Sequence, residues 1–109
     1  MTVTLNDIRA VAGRIADQIV QTPTVRCAAL SDLHGAEIHL KLETLQRTGS
    51  FKDRGALAKL LSLDGAQARN GVIAVSAGNH AQGVAYHARR LGIPATIVTV
   101  SYTHLRAHE

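Results

Sequence analysis

Residues 71–98 read GVIAVSAGNHAQGVAYHARRLGIPATIV. Gly71-Val72-Ile73-Ala74-Val75 is a short continuous apolar run, the pattern of a strand covered on both faces. Ser76-Ala77-Gly78-Asn79-His80 breaks it with small and polar residues and reads as a loop. Ala81 to Leu91 then makes a helix stopped by Gly92, and Pro94-Ala95-Thr96-Ile97-Val98 makes a second strand. Strand, loop, helix and strand in such short succession form a βαβ unit, which places its two strands parallel and packs the helix across them. The fold class is α/β.

Working outward, Thr4-Leu5-Asn6-Asp7 offers an N-cap and a first-turn acid, and Ile8, Val11, Ala12, Ile15 and Ile19 recur at helical spacing. This predicts an amphipathic helix ending before Thr22-Pro23. Thr24 to Leu30 fits either state. Glu37 to Leu42 alternates, which predicts a strand with Ile38, Leu40 and Leu42 on one face. From Ser50 the pattern is helical, with Ala56, Leu57, Leu60 and Leu61 forming an apolar stripe up to a break at Asp64-Gly65. With 109 residues, 46% of them apolar, the chain has material for one core: one domain, or part of one.

The formal charge of +4 comes from Lys and Arg scattered singly or in pairs, the densest being Arg89-Arg90, which reads as a solvated helix face. Aromatic residues make up only 3% of the chain, too few for base-stacking platforms, so nucleic acid is set aside as a partner. No apolar run approaches the length that spans a membrane. The single cysteine, Cys27, cannot form an internal disulfide and lacks a Cys/His signature around it; it reads as a small hydrophobe in a reducing, cytoplasmic setting.

Two stretches carry chemistry. The loop 76–80 follows a strand's carboxyl end and opens a helix, where unpaired N–H groups and the helix dipole favour an anion. No G-x-G-x-x-G is present, and Gly78 and Gly83, although spaced as in a P-loop, are followed by Val84-Ala85 instead of Lys-Ser/Thr. A carboxylate fits this loop better than a nucleotide does. Asn79 offers a side-chain amide for a hydroxyl or phenolate oxygen, or serves as an ordinary helix cap. The second stretch, ETLQRTGSFKDRGA at residues 43–56, brings Lys52 to the start of a helix. There a lysine is usually solvated, but in an apolar pocket beside a positively polarised helix end its ammonium form is disfavoured, and the free amine attacks carbonyls.

LETLQRTGSFKDRGA followed fifteen residues later by VIAVSAGNHAQGVAYHARRLGIPATIV closely resembles the fold-type II pyridoxal-phosphate enzymes, in particular the threonine dehydratase (threonine ammonia-lyase) and serine racemase group. The resemblance runs from Val3 to Val98. It implies a three-layer parallel-sheet fold, like that of the tryptophan synthase beta chain, present here incompletely, with residues 1–99 as the N-terminal part of the catalytic domain. It implies pyridoxal 5'-phosphate as cofactor, joined to Lys52 through a Schiff base. Asn79 would hydrogen-bond the ring phenolate oxygen and Phe51 would lie against one ring face. Ser76, Ala77, Gly78 and His80 would receive the carboxylate of a small amino-acid substrate. The implied reaction is β-elimination of threonine or serine to a 2-oxoacid and ammonia, in a homo-oligomeric parent.

Racemases of the group commonly carry serine at the second position of the loop, as acid and base on the opposite face. Here that position is Ala77, which cannot transfer a proton, so one-sided elimination is favoured over a serine racemase-like reaction. A hydroxyectoine-pathway dehydratase is a further alternative within the resemblance. Asp53, where many dehydratases have glutamate, is a mild departure. The glycine-rich phosphate loop and the partner of the pyridine nitrogen come from later sequence in the family and are not found in the 109 residues. A second expectation therefore stands beside the first: this chain by itself is a non-catalytic piece with exposed sheet edges. The final residues, VSYTHLRAHE, break with the preceding pattern. Read through the codons GTC TCT TAT ACA CAT CTC CGA GCC CAC GAG, they resemble a transposase-end adapter used in sequencing-library preparation. Residues 100–109 are accordingly set aside as an adapter artefact, and His104 and His108 with them as metal ligands.

Overall fold

The structure is a computed structural model that describes residues 1–99. The adapter reading of residues 100–109, with His104 and His108, lies outside the described residues. Helix α1 (Leu5–Ile15) begins with a reciprocal capping box: the Thr4 Oγ1 accepts the Asp7 N–H at 3.2 Å, and Asp7 Oδ2 accepts the Thr4 N–H at 2.8 Å. The helix ends earlier than its periodicity suggests, at Ile15, yet Ile19 is still carried into the core.

The ambiguous segment resolves into strand β1 (Thr24–Arg26) and helix α2 (Ala28–His34), the latter closed by Gly35 in the left-handed conformation. Strand β2 (His39–Lys41) is shorter than the alternation predicts and pairs antiparallel with β1, Val25 opposite Leu40. A 3-10 turn (Glu43–Leu45) leads to α3 (Lys52–Leu60). The break at Asp64-Gly65 is itself the start of a short helix, α4 (Gly65–Asn70), because Asp64 and Gln67 form a second capping box. Strand β3 (Val72–Val75), helix α5 (Asn79–Leu91) and strand β4 (Ala95–Val98) then make the βαβ unit, with β3 and β4 parallel from Val72 opposite Ala95 to Val75 opposite Val98.

Two small cores join these pieces. Ile15 and Ile19 meet the fully buried Leu57 between α1 and α3, and Ala56, Ala74 and Val84 pack α3, β3 and α5 together. Burying a Leu or Ile side chain contributes roughly 1.5–3 kcal/mol, so Leu57 is a main hinge pin of α3. One expectation is corrected: β3 is covered on one face only. Ala74 is buried beneath the helices, whereas Ile73 and Val75 on the other face are 75% and 77% exposed, because no described element packs there.

Candidate active site

Lys52 is the first residue of α3, and the loop before it is held from three directions. Glu43 takes both Arg54 Nε (2.8 Å) and Nη2 (2.9 Å), and accepts the Thr22 hydroxyl as well. The Arg54 hydrogen bonds, with those from Thr22 and Gln46 and against the opposing effect of burial, push the Glu43 pKa down to about 2. Gln46, itself buried, spans both backbone groups of Val20, accepting its N–H at 3.1 Å and donating to its carbonyl at 3.0 Å. Thr48 donates its N–H (3.0 Å) and hydroxyl (2.7 Å) to Asp53 Oδ2, and Ser50 Oγ accepts the Lys52 N–H at 3.3 Å. The start of α3 is thus fixed before any ligand arrives.

The half-buried Lys52 side chain runs beside Phe51, its Nζ 5.3 Å from the ring centroid. Phe51, Lys52, Gly55, Ala56 and His80 line a cavity of about 340 Å³. A deeper one of about 170 Å³, between Ala56, Ala74 and Val84, shares Gly55, Ala56 and His80 with it. A primary amine, an aromatic face and small apolar residues at a cavity of this size suit a flat carbonyl compound of cofactor dimensions. His80 lies in the first turn of α5, so the cavity joins the amine to the positively polarised end of that helix.

The other loop residues stand outside that lining. Ser76 is half-buried and its Oγ accepts the Gly78 N–H at 3.2 Å, which folds the loop back on itself; Ala77, Gly78 and Asn79 are exposed. Helix α5 starts at Asn79, two residues before the predicted start, with Gly78 as its N-cap and no side chain capping it. The capping reading of Asn79 is therefore corrected: its amide is not engaged by the helix end. Structure thus brings Lys52, Phe51 and His80 together around one cavity and sets Ser76, Ala77, Gly78 and Asn79 on the adjacent loop and helix start.

Three residues at this site had no role in the sequence reading. Gly83 packs so closely on α3 that a Cβ there would lie 3.2 Å from the Lys52 carbonyl oxygen. His87 and Asp53 are both fully buried, His87 Nε2 standing 2.6 Å from Asp53 Oδ1. The available signal was a histidine one turn beyond a glycine on the apolar face of a helix, and an acid directly after the lysine. Among the described residues no group of three or more His, Cys, Asp or Glu side chains is placed to hold a metal ion, and no helix is long and apolar enough to cross a membrane.

An α/β unit with a lysine at one helix start and the start of a second helix at the same cavity has the chemistry to take a carbonyl-bearing group. The chain belongs to the pyridoxal-phosphate dependent enzymes, whose family pattern residues 15–106 match. It is 47% identical over 103 residues to an L-threonine ammonia-lyase of Thermotoga maritima, covering 94% of this chain and 26% of that protein. It is also 47% identical to a phenylserine dehydratase of Ralstonia pickettii, covering 91% of this chain and 31% of that one. The structure of maize serine racemase superposes with a TM-score of 0.83 at 36% identity, covering 91% of this chain and 31% of that chain. The chain thus spans about a third or less of the length of the relatives it matches.

Proposed function

We propose that the protein carrying this chain is a lyase that removes the β-hydroxyl of a 3-hydroxy amino acid, threonine or serine, to give a 2-oxoacid and ammonia. The observation that carries the reading is Lys52, its Nζ beside Phe51 at a cavity that reaches His80 at the start of α5. Bound pyridoxal phosphate supplies an aldehyde for the lysine and a ring that takes up the electron pair left at the substrate Cα. Lys52 would hold the cofactor through Nζ, and the same amine, when free, would move the Cα proton of the substrate. The β-hydroxyl departs as water, and the released enamine hydrolyses to the 2-oxoacid and ammonia. From threonine the product is 2-oxobutanoate.

The remaining residues bind and orient. The uncapped α5 start, with Ser76, Ala77, Gly78 and His80, receives the substrate carboxylate through its backbone N–H groups and dipole. The Asn79 amide and Phe51 would hold the cofactor, the first by a hydrogen bond to its phenolate oxygen and the second by apolar contact with its ring. Ala77 offers no proton on the opposite side, which favours elimination even though a serine racemase is among the similar structures. Relatives named for threonine and for phenylserine support a 3-hydroxy amino acid as the substrate class. A reducing compartment, in keeping with the lone free thiol of Cys27, and a homo-oligomeric assembly complete the proposal.

Chiral analysis of products from L-threonine and L-serine tests this in the full-length protein. It should form 2-oxoacid with D-serine only as a trace, and Ala77→Ser should raise that trace by about a hundredfold, the size of a general acid–base contribution. Wild-type D-serine formation on the scale of 2-oxoacid would overturn the assignment.

A further inference from the structure

The buried Asp53–His87 pair links the two helices that meet at the site. Every neighbour of the Asp53 carboxylate is a donor: Thr48 N–H and Oγ1–H at Oδ2, and His87 at Oδ1. On the far side of the ring, Arg90 Nη2 lies 3.5 Å from His87 Nδ1 and also donates to Gln18 Oε1 at 2.9 Å. A guanidinium can only donate, so Nδ1 is bare and Nε2 carries the hydrogen that Asp53 accepts. Burial lowers the His87 pKa; Asp53 opposes this, and the charges of Arg90 and Arg47 add to it, so the ring is neutral. One turn earlier on the same helix face, Gly83 abuts the Lys52 backbone, where an added Cβ would stand 3.2 Å from its carbonyl oxygen and 3.3 Å from its carbonyl carbon.

Helix α5 thus grips α3 at two successive residues, Lys52 through Gly83 and Asp53 through His87. The same helix begins with Asn79 and His80. We infer that the Asp53–His87 hydrogen bond, with the close approach at Gly83, is the positioning clamp that aims Lys52 Nζ at the start of α5. Neither Asp53 nor His87 lines the cavity; they act through the backbone of Lys52. The inference rests on Lys52 being the cofactor lysine, and it adds what holds that lysine in place.

The test reads where the cofactor attaches. Holoprotein is reduced with borohydride and the label at Lys52 is compared with that at Lys41 and Lys59, while circular dichroism checks the fold. His87→Gln keeps a donor near the Nε2 position, and its label ratio should stay within about twofold of wild type. His87→Asn has a donor that stops short of Asp53, and its ratio should fall about tenfold or more. Equal ratios in both variants, whatever happens to their melting temperatures, would reduce the pair to a stabilising contact and overturn the inference, as would loss of label in His87→Gln. If His87→Asn does not fold, Gly83→Ala decides: a fall in the ratio supports the clamp and an unchanged ratio overturns it. A wild-type protein without preference for Lys52 would instead sink the assignment of Lys52 itself.

Discussion

Glu43 and His87 both make the fold sensitive to acid. Glu43 has a folded pKa of about 2 against an ordinary 4.5, so its contribution is full above 4.5 and is lost as pH falls toward 2. By the linkage relation this is on the order of 2 kcal/mol after allowance for screening. The Asp7 pKa is likewise lowered, by its hydrogen bonds with Thr4. His87 is lowered from 6.5, so the unfolded chain takes up its proton first and stability declines as pH drops below 6.5. Urea midpoints should therefore fall in two stages, below pH 6.5 and again below 4.5. His87→Gln should remove the first stage and Glu43→Gln should weaken the second; a flat midpoint between pH 7 and 5.5 would contradict the buried neutral ring. The place of Lys52 at a helix start was legible because its neighbours in sequence form a recognisable string. The Asp53–His87 pair was not, because its members are 34 positions apart and nothing local marks them as partners.

Among the elements, the order and type of those in the βαβ unit were legible because its period, its loop of small residues and its stop at Gly92 agree, while the start of α5 and the open face of β3 were not. Strand β1 has three residues, too few for any period to show, and it exists by pairing with β2. Helix α4 was hidden because Asp64-Gly65 reads equally as a turn and as a helix start. Gly71 joins α4 to β3 with φ of 80°, and an added Cβ would meet the Pro94 carbonyl oxygen at 2.5 Å. Both the left-handed backbone and the contact exclude a side chain, since Val72 N–H donates to that same Pro94 oxygen at 2.8 Å to begin the parallel pairing. Gly71→Ala should destabilise the protein by about 2 kcal/mol or more, combining backbone strain with overpacking. A thermal midpoint within a degree of wild type would show that β3 and β4 do not depend on this approach.

At the scale of the molecule, the open face of Ile73 and Val75 and the short span relative to its relatives fit the proposed reading of this chain as the lysine-bearing side of a larger site. In the proposed function this side would supply the amine, the helix start for a carboxylate and the contacts that hold them in register. Its three lysines differ sharply in setting. Lys41 Nζ donates to the Thr22 carbonyl at 2.9 Å, Lys59 is exposed and lines the adjoining smaller cavity, and Lys52 lines its own cavity beside Phe51. Borohydride reduction of the holoprotein followed by peptide mapping therefore bears most directly on the central claim. A dominant pyridoxyl adduct on Lys52, lost in Lys52→Ala without transfer to Lys41 or Lys59, is the predicted result; label spread evenly over the three lysines would contradict it.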